Sequence, residues 1–261
     1  MNALIDIIER ERADDDAQKA PASSKARIDA VLISFEFTDH MHKETLLQVH
    51  PTVPVIASKK ASTNIVSWKH FRVVIEIPTF PGGNWRELMS GPLPAWIRIA
   101  KLGDPFDPYP GLNCAFVIIS NDIYENKELD ESEAIVYTPH GISPDGANVL
   151  AISQPQIHTI PLMHGLDVVK LPMMVNMGAH NGLKVQRALR AKYWVATHDE
   201  AVPIQGIVGH LVRREPLTIQ DAVRQESENN SSFENENAAA RDLADNSGFK
   251  DLRNGMSMIL I

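Results

Sequence analysis

The rhythm of apolar and polar positions changes repeatedly along this chain, and each change predicts an element. Leu4, Ile5 and Ile8 share one helical face, so the first 28 residues read as a short amphipathic helix and a linker. Asp14-Asp15-Asp16 and Ala20-Pro21-Ala22-Ser23-Ser24 break that helix. Ile28 to Ser34 is apolar apart from Asp29 and reads as a buried strand. His42 to Val49 reads as a helix, Pro54-Val55-Ile56-Ala57 as a short strand, and Ala61 to Trp68 as a further helix. Phe71 to Ile77 alternates like a strand. Strand, helix, strand, helix, strand is the order of an α/β fold.

Residues 78 to 113 hold seven prolines and five glycines, which predicts loops and short strands in a long surface excursion. Strands follow at Cys114 to Ser120, Ala134 to Thr138, and Ile157 to Met163, the last ending at His164-Gly165. Asn181 to Leu189 reads as a helix with Asn181 as its cap and Leu183, Val185, Ala188 and Leu189 on its apolar face. Tyr193-Trp194-Val195-Ala196 is a strong strand, ending at Thr197-His198-Asp199. A last helix runs from Ile219 to about Glu226. Residues 227 to 248 are rich in Asn, Ser, Glu and Asp, so 227–261 reads as an acidic, largely disordered tail behind a domain spanning 29–226.

With 261 residues, 44% of them hydrophobic, the chain has material for one sizeable α/β domain or at most two small ones. The net charge of −8 argues against nucleic-acid or anionic-membrane partners, which need clustered Lys and Arg. There is no run of eighteen apolar residues and no basic-then-apolar leader, so the expectation is a cytoplasmic protein. The single cysteine, Cys114, excludes an intrachain disulfide framework and suits a reducing compartment. It lies inside an apolar strand and reads as a core residue. Gly-x-Ser-x-Gly, P-loop and Gly-x-Gly-x-x-Gly motifs are all absent, which weakens serine-hydrolase, ATPase and dinucleotide readings.

Of the ten histidines, four follow apolar strands within a few residues: His40, His140, His164 and His198. Carboxyl ends of strands form the ligand-binding edge of α/β proteins. Imidazoles beside an Asp-His pair at such an edge suit zinc or a similar transition metal. Each also has a plainer role. Asp39 is placed to cap the helix after it, His40 and His42 to lie on a solvated turn, and His198 to hydrogen-bond a carbonyl. His50, His70, His158 and His210 read as surface or packing residues.

Ser34-Phe35-Glu36-Phe37-Thr38-Asp39-His40 follows a strand and precedes a helix, and it resembles the His-x-His-x-Asp-His loop of the metallo-β-lactamase superfamily. The resemblance extends to Asp39-His40-Met41-His42-Lys43-Glu44-Thr45-Leu46, Ser67-Trp68-Lys69-His70-Phe71 and Tyr137-Thr138-Pro139-His140-Gly141. It continues through Gly178-Ala179-His180-Asn181-Gly182-Leu183-Lys184 and the stretch from Ala191 to Glu200, covering about residues 28 to 225. The branch it resembles is distantly similar to the ascorbate-6-phosphate lactonase group. The resemblance implies an αβ/βα sandwich with a metal centre at the sheet edges. It also implies a shortened N-terminal half, because only about 30 residues precede the loop where the family has several strands. Apolar surface uncovered by such a shortening would favour a homodimer.

Carried over residue by residue, the resemblance puts Phe35 and Phe37 where the loop histidines of a first metal belong. Asp39 and His40 match the second metal's loop ligands, and His198 matches its late histidine. Thr138 falls near the bridging carboxylate, with His140 the nearest substitute. Phenylalanine has no lone pair, and burying each ring is worth about 1.5–3 kcal/mol, so the first metal's berth reads as an apolar plug. What remains is one zinc or other divalent metal on Asp39, His40 and His198, with His140 or water as a fourth ligand. Such a metal brings the pKa of its water to about 7. Asp39 and His40 are then the catalytic candidates, with Asp39 as general base on a metal-free water the alternative. His164 and His180 are assigned to substrate contact or to hydrogen bonds that support the ligands, with core packing as the alternative.

Two functions compete at this stage. One is a mononuclear metal-dependent hydrolase of a small ester or lactone, which the surviving Asp39, His40 and His198 favour. The other is a catalytically inactive relative that binds a ligand or partner, which Phe35, Phe37 and Thr138 favour. A metal-free lyase or isomerase using the histidines as acid and base has no dedicated motif.

Overall fold

The computed structural model describes residues 28–105, 107, 109, 111–121, 132–199, 206–229, 248–252 and 256–258. The helix predicted within the first 28 residues and most of the predicted acidic tail lie outside these residues. The chain forms two compact units, one running to Ile77 and one beginning at Pro78. Among the described residues, no helix is long and apolar enough to cross a membrane.

In the first unit, β1 (Val31–Ile33), β2 (Val55–Ala57) and β3 (Val74–Glu76) form a parallel sheet in that order. Parallel neighbours need crossovers, and α1 (Lys43–Leu46) and α2 (Lys59–Ser67) lie within them. Ala61 and Ile65, four residues apart on one face of α2, are buried with Ile33, Met41, Leu46, Val55 and Ala57. The predicted strands over 28–34 and 71–77 are trimmed to three residues each. Their shared partner β2 offers only Val55, Ile56 and Ala57 for pairing. The predicted helix over 42–49 ends at Leu46, where Gln48 and Val49 turn tightly onto the carbonyls of Thr45 and Leu46.

The second unit is built on a six-stranded sheet. β4 (Ile97–Gly103), β5 (Cys114–Ser120) and β6 (Ser132–Thr138) run antiparallel. β7 (Ile157–His164) then pairs parallel with β6, and β10 (Tyr193–Ala196) parallel with β7. The helix α3 (Pro144–Ala151) makes the first crossover. The second passes through a hairpin of β8 (Val168–Leu171) and β9 (Met173–Met177) and the helix α4 (Gly178–Leu189). After α5 (Gly206–Leu211), β11 (Arg213–Glu215) joins β8 antiparallel. The helix α6 (Ile219–Asn229) follows. Within the predicted acidic tail, β12 (Phe249–Lys250) adds a parallel strand beside β10.

Residues 78–113 are not the surface excursion predicted for them. Phe80, Trp85 and Leu88 are buried in the main core with the apolar faces of β4 to β7. Trp85 Nε1 donates to the Pro155 carbonyl at 3.0 Å. β4 pairs along its full seven residues with β5. Prolines and glycines mark the turns of this segment but carry no information about the aromatic side chains between them. The helix α3 was not foreseen, although its start is legible in Ser143-Pro144. Ser143 Oγ accepts the Gly146 N–H at 3.1 Å, and Pro144 stands at the first turn, where a missing N–H costs nothing. Cys114 is buried as expected, and burial pushes its thiol pKa up to about 12.

Candidate functional site

Because β6, β7 and β10 are parallel, their carboxyl ends face one edge. Thr138 and Ala196 are both in register with His164, so the chain leaves all three strands at the same level. His140 and His198 follow two residues after the ends of β6 and β10. Their rings meet edge to face, with centroids 5.2 Å apart, and their ligating atoms lie within 4.8 Å of each other.

His140 is held from behind. Its carbonyl accepts from Met177 N at 3.0 Å and from Asn113 Nδ2 at 3.3 Å. The next residue, Gly141, has φ +95°, and a Cβ there would sit 2.7 Å from Met177 Cβ, so only glycine lets the turn pass. The buried His140 ring places Nδ1 3.3 Å from the Leu112 carbonyl. A histidine metal ligand needs this arrangement: one nitrogen donates to a backbone carbonyl, which makes the other the ligating atom.

His198 sits in the left-handed region with φ +64°, an uncommon conformation for a residue with a side chain. Its Nδ1 lies 3.5 Å from the side-chain nitrogen of Asn176 on β9. Asn176 is buried, and its Oδ1 has no hydrogen-bond partner among the described residues. A half-turn of the amide would offer that oxygen to an imidazole N–H, the partner a metal-ligating His198 requires. The residues present therefore fit a metal at this edge.

The stretch read as resembling a histidine loop lies in the first unit, after β1. His40 places Nδ1 3.1 Å from Ser34 Oγ and Nε2 3.5 Å from an Asp39 carboxylate oxygen. Asp39 does not cap α1, whose N-cap residue is His42. His42 is exposed and bonds Thr45 Oγ1 at 2.8 Å. The predicted apolar plug is only half formed: Phe35 is 3% exposed, but Phe37 is 58% exposed and meets Phe35 edge to face at 5.0 Å.

Thr138 is fully buried, and its hydroxyl donates to the Cys114 carbonyl at 2.9 Å, a structural bond between β6 and β5. His164, for which the sequence leaves substrate contact, a supporting hydrogen bond and core packing all open, is 1% exposed, as the last two require. Its Nδ1 faces the Gly165 carbonyl at 2.6 Å and its Nε2 faces Asn181 Oδ1 at 2.8 Å. Trp194 packs on it edge to face. Asn181, expected as a helix cap, is buried inside α4, and its side-chain nitrogen donates to the Ile142 carbonyl at 3.0 Å. The register explains the switch. His164 is the last paired residue of β7 and points into the layer beneath α4, whereas His140 and His198 lie beyond their strands. His180, given the same candidate roles, lies half-buried on α4.

Burial drives the pKa of His164 below its ordinary 6.5, outweighing the bonds to Asn181 and Gly165, which favour the protonated ring. A base whose pKa is depressed by folding binds fewer protons than in the unfolded chain. Its penalty is absent well above pH 6.5 and grows as pH falls below it. The midpoint of urea unfolding therefore falls between about pH 7 and 5, and His164→Gln flattens that fall. An identical pH profile in the variant would remove His164 as the cause.

The sequence reading missed Asn176 and Asn113, which touch the histidines from strands and turns far away along the chain and carry no local signal. It also missed Asp199, which follows His198 directly. The Asp199 carboxylate accepts from Leu166 N at 2.8 and 2.9 Å and from Asp167 N at 2.9 Å. Burial raises its pKa against those bonds.

No protein-family model matches the chain, and no curated protein matches it in sequence. Its fold does match solved structures. The isothiocyanate hydrolase from Delia radicum gut bacteria superposes with a TM-score of 0.53 at 15% identity, covering 92% of this chain and 80% of that one. A possible metal-dependent hydrolase from Veillonella parvula DSM 2008 gives 0.52 at 11% identity, covering 87% and 74%. The metallo-beta-lactamase fold protein YhfI from Bacillus subtilis gives 0.45 at 16% identity, covering 70% and 68%. The chain shares the fold of the first two.

Proposed function

We propose that this chain is a hydrolase of the metallo-β-lactamase fold that depends on one divalent transition metal, zinc being the first candidate, and acts on a small ester or lactone. The observation that carries the reading is the pairing of His140 and His198 at the ends of parallel strands, with Nδ1 of His140 already directed to a carbonyl. The proposed ligands are His140, His198, Asp39 and His40. Asp39 and His40 enter on the loop resemblance, and Phe35 in place of a histidine limits the count to one ion. The reading is supported by the two solved proteins that share the fold, an isothiocyanate hydrolase and a possible metal-dependent hydrolase.

Bound there, a divalent metal supplies Lewis acidity and brings the pKa of water toward about 7. The chain's own residues hold and orient. The Leu112 carbonyl and the Asn176 amide set the ring orientations of His140 and His198. In the metal-free alternative, Asp39, exposed beside His40, is the proposed general base on water.

Protein purified without chelators should hold about one equivalent of zinc, iron or manganese per chain, as a single mononuclear site requires. Chelation should abolish hydrolysis of a panel of small esters and lactones, and zinc should restore it. Less than about a tenth of an equivalent after reloading with each metal would eliminate the metal-dependent reading and favour the inactive, ligand-binding one.

A further inference from the structure

We propose that Asp199 is a positioning residue: its carboxylate ties the end of β10 to the turn after β7 and thereby fixes where His198 presents its ring. This rests on the reading of His198 as a metal ligand, but it concerns the apo chain and is testable there.

The argument starts from the backbone. His198 is in the left-handed region, a conformation that persists only where the surroundings over-determine it. Asp199, the next residue, supplies the constraint. One of its oxygens accepts from both Leu166 N and Asp167 N, and the other from Leu166 N, at 2.8 to 2.9 Å. The two turns are closely packed: a Cβ on Gly165 would lie 3.0 Å from the Thr197 carbonyl and 3.2 Å from Asp199 Oδ1. Arg214 on β11 closes the ring from the other side, donating to the Asp167 carboxylate and to the Asp199 carbonyl. Residue 199 is thus pinned through its side chain to one turn and through its backbone to a third strand, and His198 has little room to relax between Thr197 and that anchor.

The same geometry says what Asp199 does not do. A carboxylate beside a metal-ligand histidine, in a chain with threonine near the bridging-carboxylate position, invites assignment as a ligand. Here both oxygens are engaged by backbone N–H groups, so the negative charge is committed to the turn.

The test compares Asp199→Ala, Asp199→Asn and Arg214→Met with the parent chain, using two readouts. One is the imidazole nitrogen signals of His198 and His140 in the 15N-labelled, metal-free protein. The other is the affinity for zinc alone, measured by competition with a chromophoric chelator. Asp199→Ala should move or broaden the His198 signals, leave those of His140 in place, and weaken zinc binding about 10- to 100-fold, the usual loss when a ligand's support is removed. Asp199→Asn keeps one acceptor oxygen for the two N–H groups and should recover most of both. Arg214→Met should fall between them, and these two milder variants decide the matter if the alanine variant does not fold. Unchanged His198 signals and unchanged zinc affinity in the folded variants would overturn the proposal. If the parent chain binds no zinc yet the His198 signals shift as described, the positioning role stands and the metal reading fails.

Discussion

Replacing His140 and His198 together with alanine should weaken zinc binding by more than about 100-fold and abolish metal-dependent hydrolysis, while far-UV circular dichroism stays that of the parent. The size follows from ligand count. Losing a group that merely orients a ligand typically costs 10- to 100-fold in metal affinity, so losing two imidazoles from one ion costs more. The fold should survive because both residues lie beyond the ends of their strands, outside the paired registers of β6, β7 and β10. Zinc affinity within about tenfold of the parent would show that these two histidines do not hold the metal.

Trp194→Ala should destabilise the second unit by about 3–5 kcal/mol, the range for truncating a fully buried large aromatic. Trp194 is 0% exposed and joins three parts of the molecule. Its ring packs edge to face on His164 and on Phe249 of β12, with centroids 6.0 and 5.5 Å away. Its Nε1 donates to the His164 carbonyl at 3.0 Å. Gly182 on α4 makes room for it, since a Cβ there would lie 2.4 Å from the indole. Alanine leaves a cavity between β10 and α4 that neither backbone can close, because β10 is fixed by its pairing with β7. Urea unfolding followed by circular dichroism measures the loss. A decrease below about 1 kcal/mol would mean that the layer repacks around the missing ring.

Trp194 also shows how the edge that carries His140 and His198 is supported. It fixes His164 at the end of β7, and His164 is in register with the last residues of β6 and β10. Loosening that ring frees the level from which His140 and His198 emerge, so the variant should lose zinc affinity together with stability.

Strand-forming runs declared themselves in the chain wherever the run is apolar and long enough. Cys114 to Ser120 is recovered to the residue, and Tyr193 to Ala196 likewise. The α/β class and the location of His140 and His198 just past strands were legible for the same reason, because periodicity and turn residues are local properties. Phe80 and Trp85 were misread as surface, since their burial depends on β4 to β7 arriving from elsewhere. The hairpin of β8 and β9 was missed because Met173 and Met174, partly exposed, do not alternate clearly.

The sequence by itself determined which residue types stand at the strand ends, and hence that an imidazole-rich edge exists. Only the tertiary structure decided which imidazoles come together at that edge and which serve the interior. His164 and His198 look alike along the chain, each closing an apolar strand. Register puts His164 inside the sheet, under Asn181 and Trp194, and puts His198 two residues beyond it, facing His140. Strand pairing ends at a fixed residue, so a shift of two positions separates a buried ring bonded within the sheet layer from one that emerges beyond the strand end beside His140.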